Sequence, residues 1–430
     1  MNSNEIFVSL DIGTSNVKVI IGEMVNENLN IIGVGNVKSD GLRKGSIVDI
    51  DETVQSIRKA IEEAQRMVGI KIDRVIVGIS SNGVQLVPCK GVVAVSNENR
   101  EIGNNDVQRV IEASQLVAIP PEREIIDVVP TEFIVDGLDE IKDPRGMIGV
   151  RLEMEGILVT GAKTLMHNLL RCVERAGLEI TDICLQPLAA GSLALSKDEI
   201  NRGVVLVDIG GGSTTLSIFK EGMLKTTNVL PIGGQHITRD ISIGLQTSSD
   251  DAEKIKVKYG HAFYDTASEE ELFSVPIMGS DQHEQYTQVD LSEITEARLE
   301  EILDFVKLEL RRLGVRDLPG GFVLTGGVMK MPGVLELAQH VLKHNVRIAY
   351  PDYIGVREPQ YTTGVGLIKY AYKKSKLRGK VHTTNVQEDV TERPIHQKPK
   401  AKPKQVSKPR AKDDEKMGKK MKKFFRYLWE

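Results

Sequence analysis

Apolar and polar residues alternate from the start of the chain. IFVSL, VKVIIGE and NIIGVGNV keep a period of two and are separated by Gly and Asn turns, which predicts three successive strands. The period then changes. In VDIDETVQSIRKAIEEAQRMVG the apolar residues Val54, Ile57, Ile61, Ala64 and Val68 recur at helical spacing, with Asp51 or Thr53 as the expected cap. RVIVGIS reads as a strand again. From about Asn82 to Lys163, short strand patterns (GVVAVS, EIIDVVPTEFIVDG, GVRLEMEGILVTGA) surround one helical pattern, NNDVQRVIEASQLVAI. That texture predicts a small α+β module inserted in a larger body, which resumes with the helix TLMHNLLRCVERAG.

After Gly203 the opening pattern returns as VVLVDIGGGSTTLSIFKEG. A more charged region, about Ile241 to Leu313, holds DDAEKIKVKYG and a long helix, SEITEARLEEILDFVKLELRRLG. Its residues Ile294, Ala297, Ile302, Phe305 and Leu308 are expected on one apolar side, with Arg298, Glu300 and Glu301 more exposed. A strand–turn–helix, GFVLTGGVMKMPGVLELAQHVL, and a small-residue helix, TTGVGLIKYAYKK, follow. Past Ser375 the composition turns to Lys, Pro, Gln and Thr, which predicts a disordered linker.

The last stretch is KMGKKMKKFFRYLWE. Wound as a helix, Met417, Met421, Phe424, Phe425 and Leu428 form a single apolar stripe. Lys419, Lys420, Lys422, Lys423 and Arg426 take the flanks and far side, and Trp429 sits at the edge, where an indole favours the lipid–water boundary. This is the pattern of an interfacial helix on anionic lipid. No stretch approaches the ~20 apolar residues of a spanning helix. The N-terminus lacks a basic n-region and a long apolar run, so it is not read as a signal peptide.

Composition narrows the classes. At 430 residues the chain has room for two to four domains, and a net charge of −4 gives no reason to expect nucleic acid. Cys89, Cys172 and Cys184 fall in separate segments without a CxxC, which argues against a disulfide framework or a zinc site and fits a reducing cytosol.

The chemistry lies in two matching segments, FVSLDIGTSNVKVIIGE and VLVDIGGGSTTLSIFKEG. Each runs from an apolar strand through Asp-Ile-Gly and small residues into a second strand. Residues without bulk let backbone N–H groups converge on an anion. Asp11 and Asp208 end their strands at that turn, where carboxylates would hold a hydrated Mg²⁺. One such hairpin is weak evidence. Two, in separate halves and followed by VLTGGV, imply a nucleotide clamped between similar α/β domains.

The order DIGTSNVKVIIGE, PLAAGSLAL, VDIGGGSTTLSIF, VLTGGVMKMPG, TTGVGLIKYA resembles the five-part nucleotide signature of the actin/Hsp70/sugar-kinase superfamily. Within it the chain resembles the FtsA family of bacterial cell-division proteins, in its Bacillus-type form, over essentially its whole length. The resemblance implies an α/β, actin-like (ribonuclease H-like) two-domain ATPase fold with duplicated βββαβα cores. It implies subdomain 1A at 1–83 and 164–200, an inserted subdomain 1C at 84–163, 2A at 201–240 and 308–374, and 2B at 241–307. The linker would span 375–412 and the membrane-targeting helix 413–430.

Carried over by residue, Gly13, Thr14, Ser15 and Asn16 would wrap one side of the ATP phosphates, with Lys18 reaching them from the next strand. Gly210, Gly211, Gly212, Ser213 and Thr214 would wrap the other side. Gly326, Gly327 and Val328 would flank the adenosine, and Glu253 and Lys256 would contact ribose and adenine. Without the resemblance, that pair reads as a solvated i,i+3 pair. Gly191, Gly364 and Gly366 would sit where two connecting helices cross. Gln186 and Asp208 are the candidate catalytic residues: Gln186 would orient the attacking water, or else only satisfy a strand-to-helix turn. Hydrolysis would be slow at most.

The resemblance also implies a role. The protein would polymerise and tether FtsZ filaments to the cytoplasmic face of the membrane at the division septum, as a peripheral protein that helps recruit later divisome membrane proteins. Arg298 and Glu301 match the family's contact positions for the FtsZ C-terminal tail. The alternatives are another actin-like shape or pilus-assembly factor, or an ATP-dependent kinase, for which Asp182 is the one nearby carboxylate to consider as acceptor base.

Overall fold

The computed structural model describes residues 5–43, 45–279, 282–315 and 318–379. Most of the expected linker and the whole of the stripe expected to bind lipid, Met417 to Trp429, lie outside the described residues. The three alternating runs form β1 (Glu5–Ile12), β2 (Asn16–Val25) and β3 (Asn28–Lys38), and a small hairpin follows, β4 (Leu42–Arg43) with β5 (Ser46–Ile47). Helix α1 (Ile50–Val68) buries Val54, Ile57, Ile61 and Ala64, as its spacing predicts. Its cap is Asp49 rather than Asp51 or Thr53. The backbone is still extended at Asp49, whose carboxylate accepts from Glu52 N at 3.0 Å. β6 (Arg74–Ile79) follows.

The inserted stretch forms β7 (Gln85–Ala94), α2 (Asn104–Ala113), β8 (Arg123–Val135), β9 (Leu138–Ile141) and β10 (Arg151–Ala162). Its strands make one antiparallel sheet of order β7-β10-β8-β9. Helix α2 lays Val107, Val110 and Ile111 against Phe133, Leu152 and Met154. It stops at Ala113, short of the SQLVAI that the pattern assigned to it. Leu116 there is 89% exposed, so no core face rewards another turn, and Pro120 follows.

The first half ends with α3 (Lys163–Arg175), β11 (Glu179–Leu185), α4 (Gln186–Ala194) and α5 (Lys197–Arg202). The second half opens with β12 (Val204–Ile209), β13 (Thr214–Lys220) and β14 (Met223–Leu230). It continues with α6 (Gly234–Gly244), α7 (Ser249–Tyr259), β15 (Leu272–Pro276), β16 (His283–Thr287) and α8 (Gln288–Arg312). β17 (Phe322–Thr325), α9 (Val334–Leu342), β18 (Val346–Ile348) and α10 (Thr362–Arg378) complete the described chain. Helix α10 runs past the expected start of the linker at Ser375, because Ser375 is buried and Arg378 is ion-paired. Helices α5, α6 and α8 are continuous through residues 200/201, 240/241 and 307/308, where domain boundaries were expected.

Two five-stranded sheets share one plan: β11-β6-β1-β2-β3 and β18-β17-β12-β13-β14. β1 runs antiparallel to β2 and parallel to β6, and β12 does the same with β13 and β17. The duplication read from the two Asp-Ile-Gly segments is therefore a duplication of whole sheets.

Helix α10 crosses back from the second half to the first sheet, burying Val365, Leu367 and Ile368 with Phe7, Ile20 and Ile76. Of the three glycines expected at the helix crossing, only Gly366 is there: a Cβ on it would overlap the Ala189 carbonyl of α4. Gly364 lies on Ile20 of the first sheet and Gly191 on the Phe219 ring of the second. The α8 pattern also needs correction. Its core face is Leu291, Leu299, Ile302, Leu303 and Val306, whereas Phe305 and Leu308 are 39% and 58% exposed. The charged residues had masked which of two apolar rows faces inward.

Candidate functional site

The two hairpin turns close in the same way. Gly13 N donates to Asn16 O at 3.0 Å, and Gly210 N donates to Ser213 O at 3.0 Å. Strand pairing sets Asp11 opposite Lys18 and Asp208 opposite Thr215. The turns face each other across one cleft, which Gln186, Gly326, Gly327 and Thr363 also line. Their approach is close. A Cβ on Gly211 would overlap Ser15 Oγ, and one on Gly212 would come within 2.6 Å of Thr14 Cγ2. Gly326, at φ 99°, is needed for its backbone and because a Cβ would overlap Asp208.

The two carboxylates have different surroundings. Asp11 is bound by Lys18 Nζ at 3.3 Å and by Gln186 Nε2 at 2.8 Å. Among the described residues, Asp208 accepts only from Thr363 Oγ1, at 3.3 Å. Burial pushes the Asp208 carboxyl up to about 6; Lys18 pulls it down and Asp11 pushes it further up. Among the described residues no group of three or more His, Cys, Asp or Glu is arranged to hold a metal. Two facing carboxylates, one without a direct cationic partner, suit a divalent cation that keeps most of its waters and bridges to phosphate.

Gln186 is the first residue of α4, and its side chain reaches Asp11 rather than closing the strand-to-helix turn. Lys256 is also better defined than a solvated pair. Its side chain is 12% exposed, and Nζ donates to Gly234 O at 3.2 Å, Thr238 Oγ1 at 2.7 Å and Glu253 Oε2 at 2.6 Å. Val328 is buried beside Gly234, where an added Cβ would meet it at 2.9 Å. Thr214 does not face the cleft: it is fully buried and donates to Ile232 O at 2.8 Å, holding the turn from beneath.

Three contributors escaped the sequence reading. The start of α6 buttresses the second turn, with Gly234 N donating to Gly210 O at 2.9 Å and Gln235 N to Gly211 O at 2.7 Å. The glycine pair in PIGGQ was the available signal. Thr363 lay within TTGVGLIKYA, the last part of the signature, without being singled out; Thr238 carried no signal, since it acts through a helix distant in sequence.

The remaining predicted residues lie elsewhere. Asp182 is buried on β11 and bound to Lys374 of α10 at 2.8 Å, so it offers no acceptor base in the cleft. Burial alone would raise its carboxyl, but Lys374 and Arg378 hold it below the ordinary value. Arg298 is not the free cation its position on α8 suggested. Its guanidinium forks onto Asp240, with Nη2 at 3.0 Å from Oδ1, and also binds Glu301. Beside it a shallow groove is lined by Ala297, Glu301, Phe305, Lys307, Leu308 and Arg311.

Comparison with known proteins gives consistent results. A family model described as "Cell division protein FtsA" matches residues 205–366, and one described as "SHS2 domain inserted in FTSA" matches residues 81–160. The chain is 62% identical over 380 residues to the cell division protein FtsA of Bacillus subtilis, covering 88% of this chain and 86% of that protein. It is 44% identical over 371 residues to that of Enterococcus faecalis, covering 86% and 84%. Among solved structures it resembles the PilM–PilN type IV pilus biogenesis complex, with TM-score 0.57, 17% identity, and 84% and 97% of the two chains covered. It also resembles MreB5 of Spiroplasma citri bound to ADP, with TM-score 0.53, 14% identity, and 87% and 98% covered. These structural likenesses show the actin-like fold.

Proposed function

The chain belongs to the FtsA family of cell-division proteins, and on that premise we propose that it is an ATP-binding filament former that tethers FtsZ polymers to the membrane at the septum. The observation that carries this reading is the pair of matched turns closing on one cleft, each with a carboxylate at its root. Backbone N–H groups of residues 14–16 and 211–213, beyond the two that close the turns, would hold the phosphates, with Lys18 as counter-charge. Asp11 and Asp208 would hold a hydrated Mg²⁺, whose contribution is to neutralise phosphate charge. Gly326, Gly327, Val328, Glu253 and Lys256 would enclose the nucleoside. Gln186, anchored on Asp11, would orient a water rather than act as a base, so turnover would be slow.

The outer face of α8 would receive the FtsZ C-terminal tail. Arg298, fixed by Asp240, would present its fork beside Glu301 and the exposed Phe305 and Leu308. The inserted module would meet later divisome proteins. The C-terminal stripe would bind anionic lipid reversibly, because ordering about fifteen residues at 1–2 kcal/mol each cancels much of the gain from burying its side chains. Filaments carrying many tails would bind far more tightly through effective concentration.

Electron microscopy of the protein with ATP on lipid monolayers tests the whole reading, with membrane-bound filaments as the expected result. A chain lacking residues 416–430 should still bind ATP and form no filaments on lipid. Arg298→Glu should weaken an FtsZ tail peptide in calorimetry while leaving ATP binding intact. Asp240→Asn, which removes one of the two acids that hold the fork, should weaken the peptide less. Acceptor-dependent ADP release without filaments would instead favour a kinase.

A further inference from the structure

One buried cluster of charged side chains has no part in the function proposed above. Asp127 of β8 and Asp182 of β11 have side chains 0% and 7% exposed, and Lys374 of α10 is 10% exposed. Lys374 Nζ lies 3.1 Å from Asp127 Oδ1 and 2.8 Å from Asp182 Oδ1. Arg378 Nη2 lies 3.0 Å from Asp127 Oδ1, and the Tyr370 hydroxyl donates to Asp127 Oδ2 at 3.4 Å. Two acids balance two bases. Such a cluster gains little stability over apolar packing, since desolvation offsets the attraction, yet it tolerates few geometries.

The cluster joins three parts of the molecule. Asp127 belongs to the inserted module, Asp182 to the first sheet, and both bases to α10. The module grips the same end of α10 in two other ways. Arg145 Nη1 donates to Lys376 O at 3.1 Å, and Leu377 packs into the module's core.

The other end of α10 stands at the cleft, 17 residues or about 25 Å away. Thr363 donates to Asp208 there. From the opposite turn, Asn16 Nδ2 donates to Asn36 Oδ1 at 2.9 Å, and Asn36 Nδ2 donates to the Tyr361 hydroxyl at 3.3 Å. Tyr361 caps α10. Both hairpins therefore reach the first turn of one helix, and Gly366 meshes that helix with α4, which carries Gln186. If the first turn shifts, Lys374 shifts between two acids that belong to different parts. It can keep both only if the module follows.

We propose that the Asp127–Lys374–Asp182–Arg378 cluster couples the cleft to the inserted module, so that phosphate binding and module orientation are linked through α10. This rests on reading the cleft as a nucleotide site. Linkage makes the effect reciprocal: whatever engages the module alters nucleotide affinity by the same factor.

Hydrogen–deuterium exchange on the full chain, with and without Mg·ATP, tests the proposal. In the wild type, ATP should slow exchange in both hairpins and also change it in α2 and β8. In Lys374→Met the hairpin response should persist while the module response falls at least threefold. The Mg·ATP Kd should change about fivefold or more, the lower end of typical coupling. Asp127→Asn gives a second route should Lys374→Met fail to fold, and a merely structural role would lower Tm in either variant without removing the module response. Slowed hairpins with an unresponsive module in the wild type would overturn the coupling alone. If neither region responds, the nucleotide reading falls, and the coupling falls with it.

Discussion

At the turn of the first hairpin the chain places Thr14, Ser15 and Asn16, with Lys18 opposite Asp11. At the matching turn of the second it places Gly211, Gly212 and Ser213, with Thr215 opposite Asp208. The closing hydrogen bond is the same in both. What differs is what stands on the backbone. The first turn carries two hydroxyls, the amide and the cation, whereas the second is stripped to main chain except for the Ser213 hydroxyl and is set against the start of α6. The stripping has a geometric cause: the bare glycines are the residues that meet Ser15 and Thr14 of the other turn. Two copies of one hairpin could not face each other this closely if both kept their side chains.

The most severe test of this comparison removes a carboxylate. Asp208→Ala should weaken Mg·ATP by roughly 100-fold, about 2.7 kcal/mol, while much weaker binding of metal-free ATP persists. Calorimetry with and without Mg²⁺ reads both. Equal losses in the two conditions would mean that Asp208 does not act through the cation.

A test of intermediate size exchanges bulk between the turns. Gly211→Ala should raise the ATP Kd on the order of tenfold, since overpacking at a tight contact costs about 1–3 kcal/mol. Ser15→Gly alone should cost less, and the double variant Gly211→Ala/Ser15→Gly should recover part of the loss. Simple additivity would show that the turns do not touch when nucleotide is bound.

The smallest effects are in stability without nucleotide, and they should have opposite signs. Asp208, held at about 6, binds its proton more tightly folded than unfolded. Its contribution is present below the ordinary value of 3.8 and is lost as pH rises through about 6. At pH 7.5, Asp208→Asn should therefore raise the Tm, by roughly 2 °C after allowing for solvent screening at a half-buried group. The gain should vanish near pH 4. Asp11→Asn should instead lower the Tm at pH 7.5, because it leaves Lys18 without its acid. Thermal melts across that pH range, without nucleotide, measure both.

The doubled sheets were legible in the chain because Asp-Ile-Gly between two alternating runs is a local pattern that occurs twice. The inserted module was legible as a change of texture, and its strands lie close to where the alternation put them. Side-chain partners were not legible. Arg298 looked exposed because Asp240, which binds it, lies fifty-eight positions earlier on another helix. The face of α8 was misjudged because Phe305 and Leu308 satisfy a helical period as well as Leu303 and Val306 do, and only its packing against α6 and α9 distinguishes them. Thr238 reaches the site through a helix whose placement no local pattern encodes, whereas Thr363 sits in the quoted signature TTGVGLIKYA and only its partner, Asp208, was not legible.

The root of the inserted module has a consequence for lineage and engineering. Its first and last strands pair with each other there, Gln85 opposite Thr160, so the body is entered and left at points about 5 Å apart. A short loop could bridge that gap, which makes the module portable: it could be excised or transplanted without re-threading either sheet. Portability is most constrained at one position. A transplanted module without an acid in the place of Asp127 would leave Lys374 and Arg378 sharing Asp182 alone, with an uncompensated charge in the interior. Descendants of such a graft could vary the module's outer surface for new partners, but every one of them would have to retain that carboxylate or lose both bases from α10.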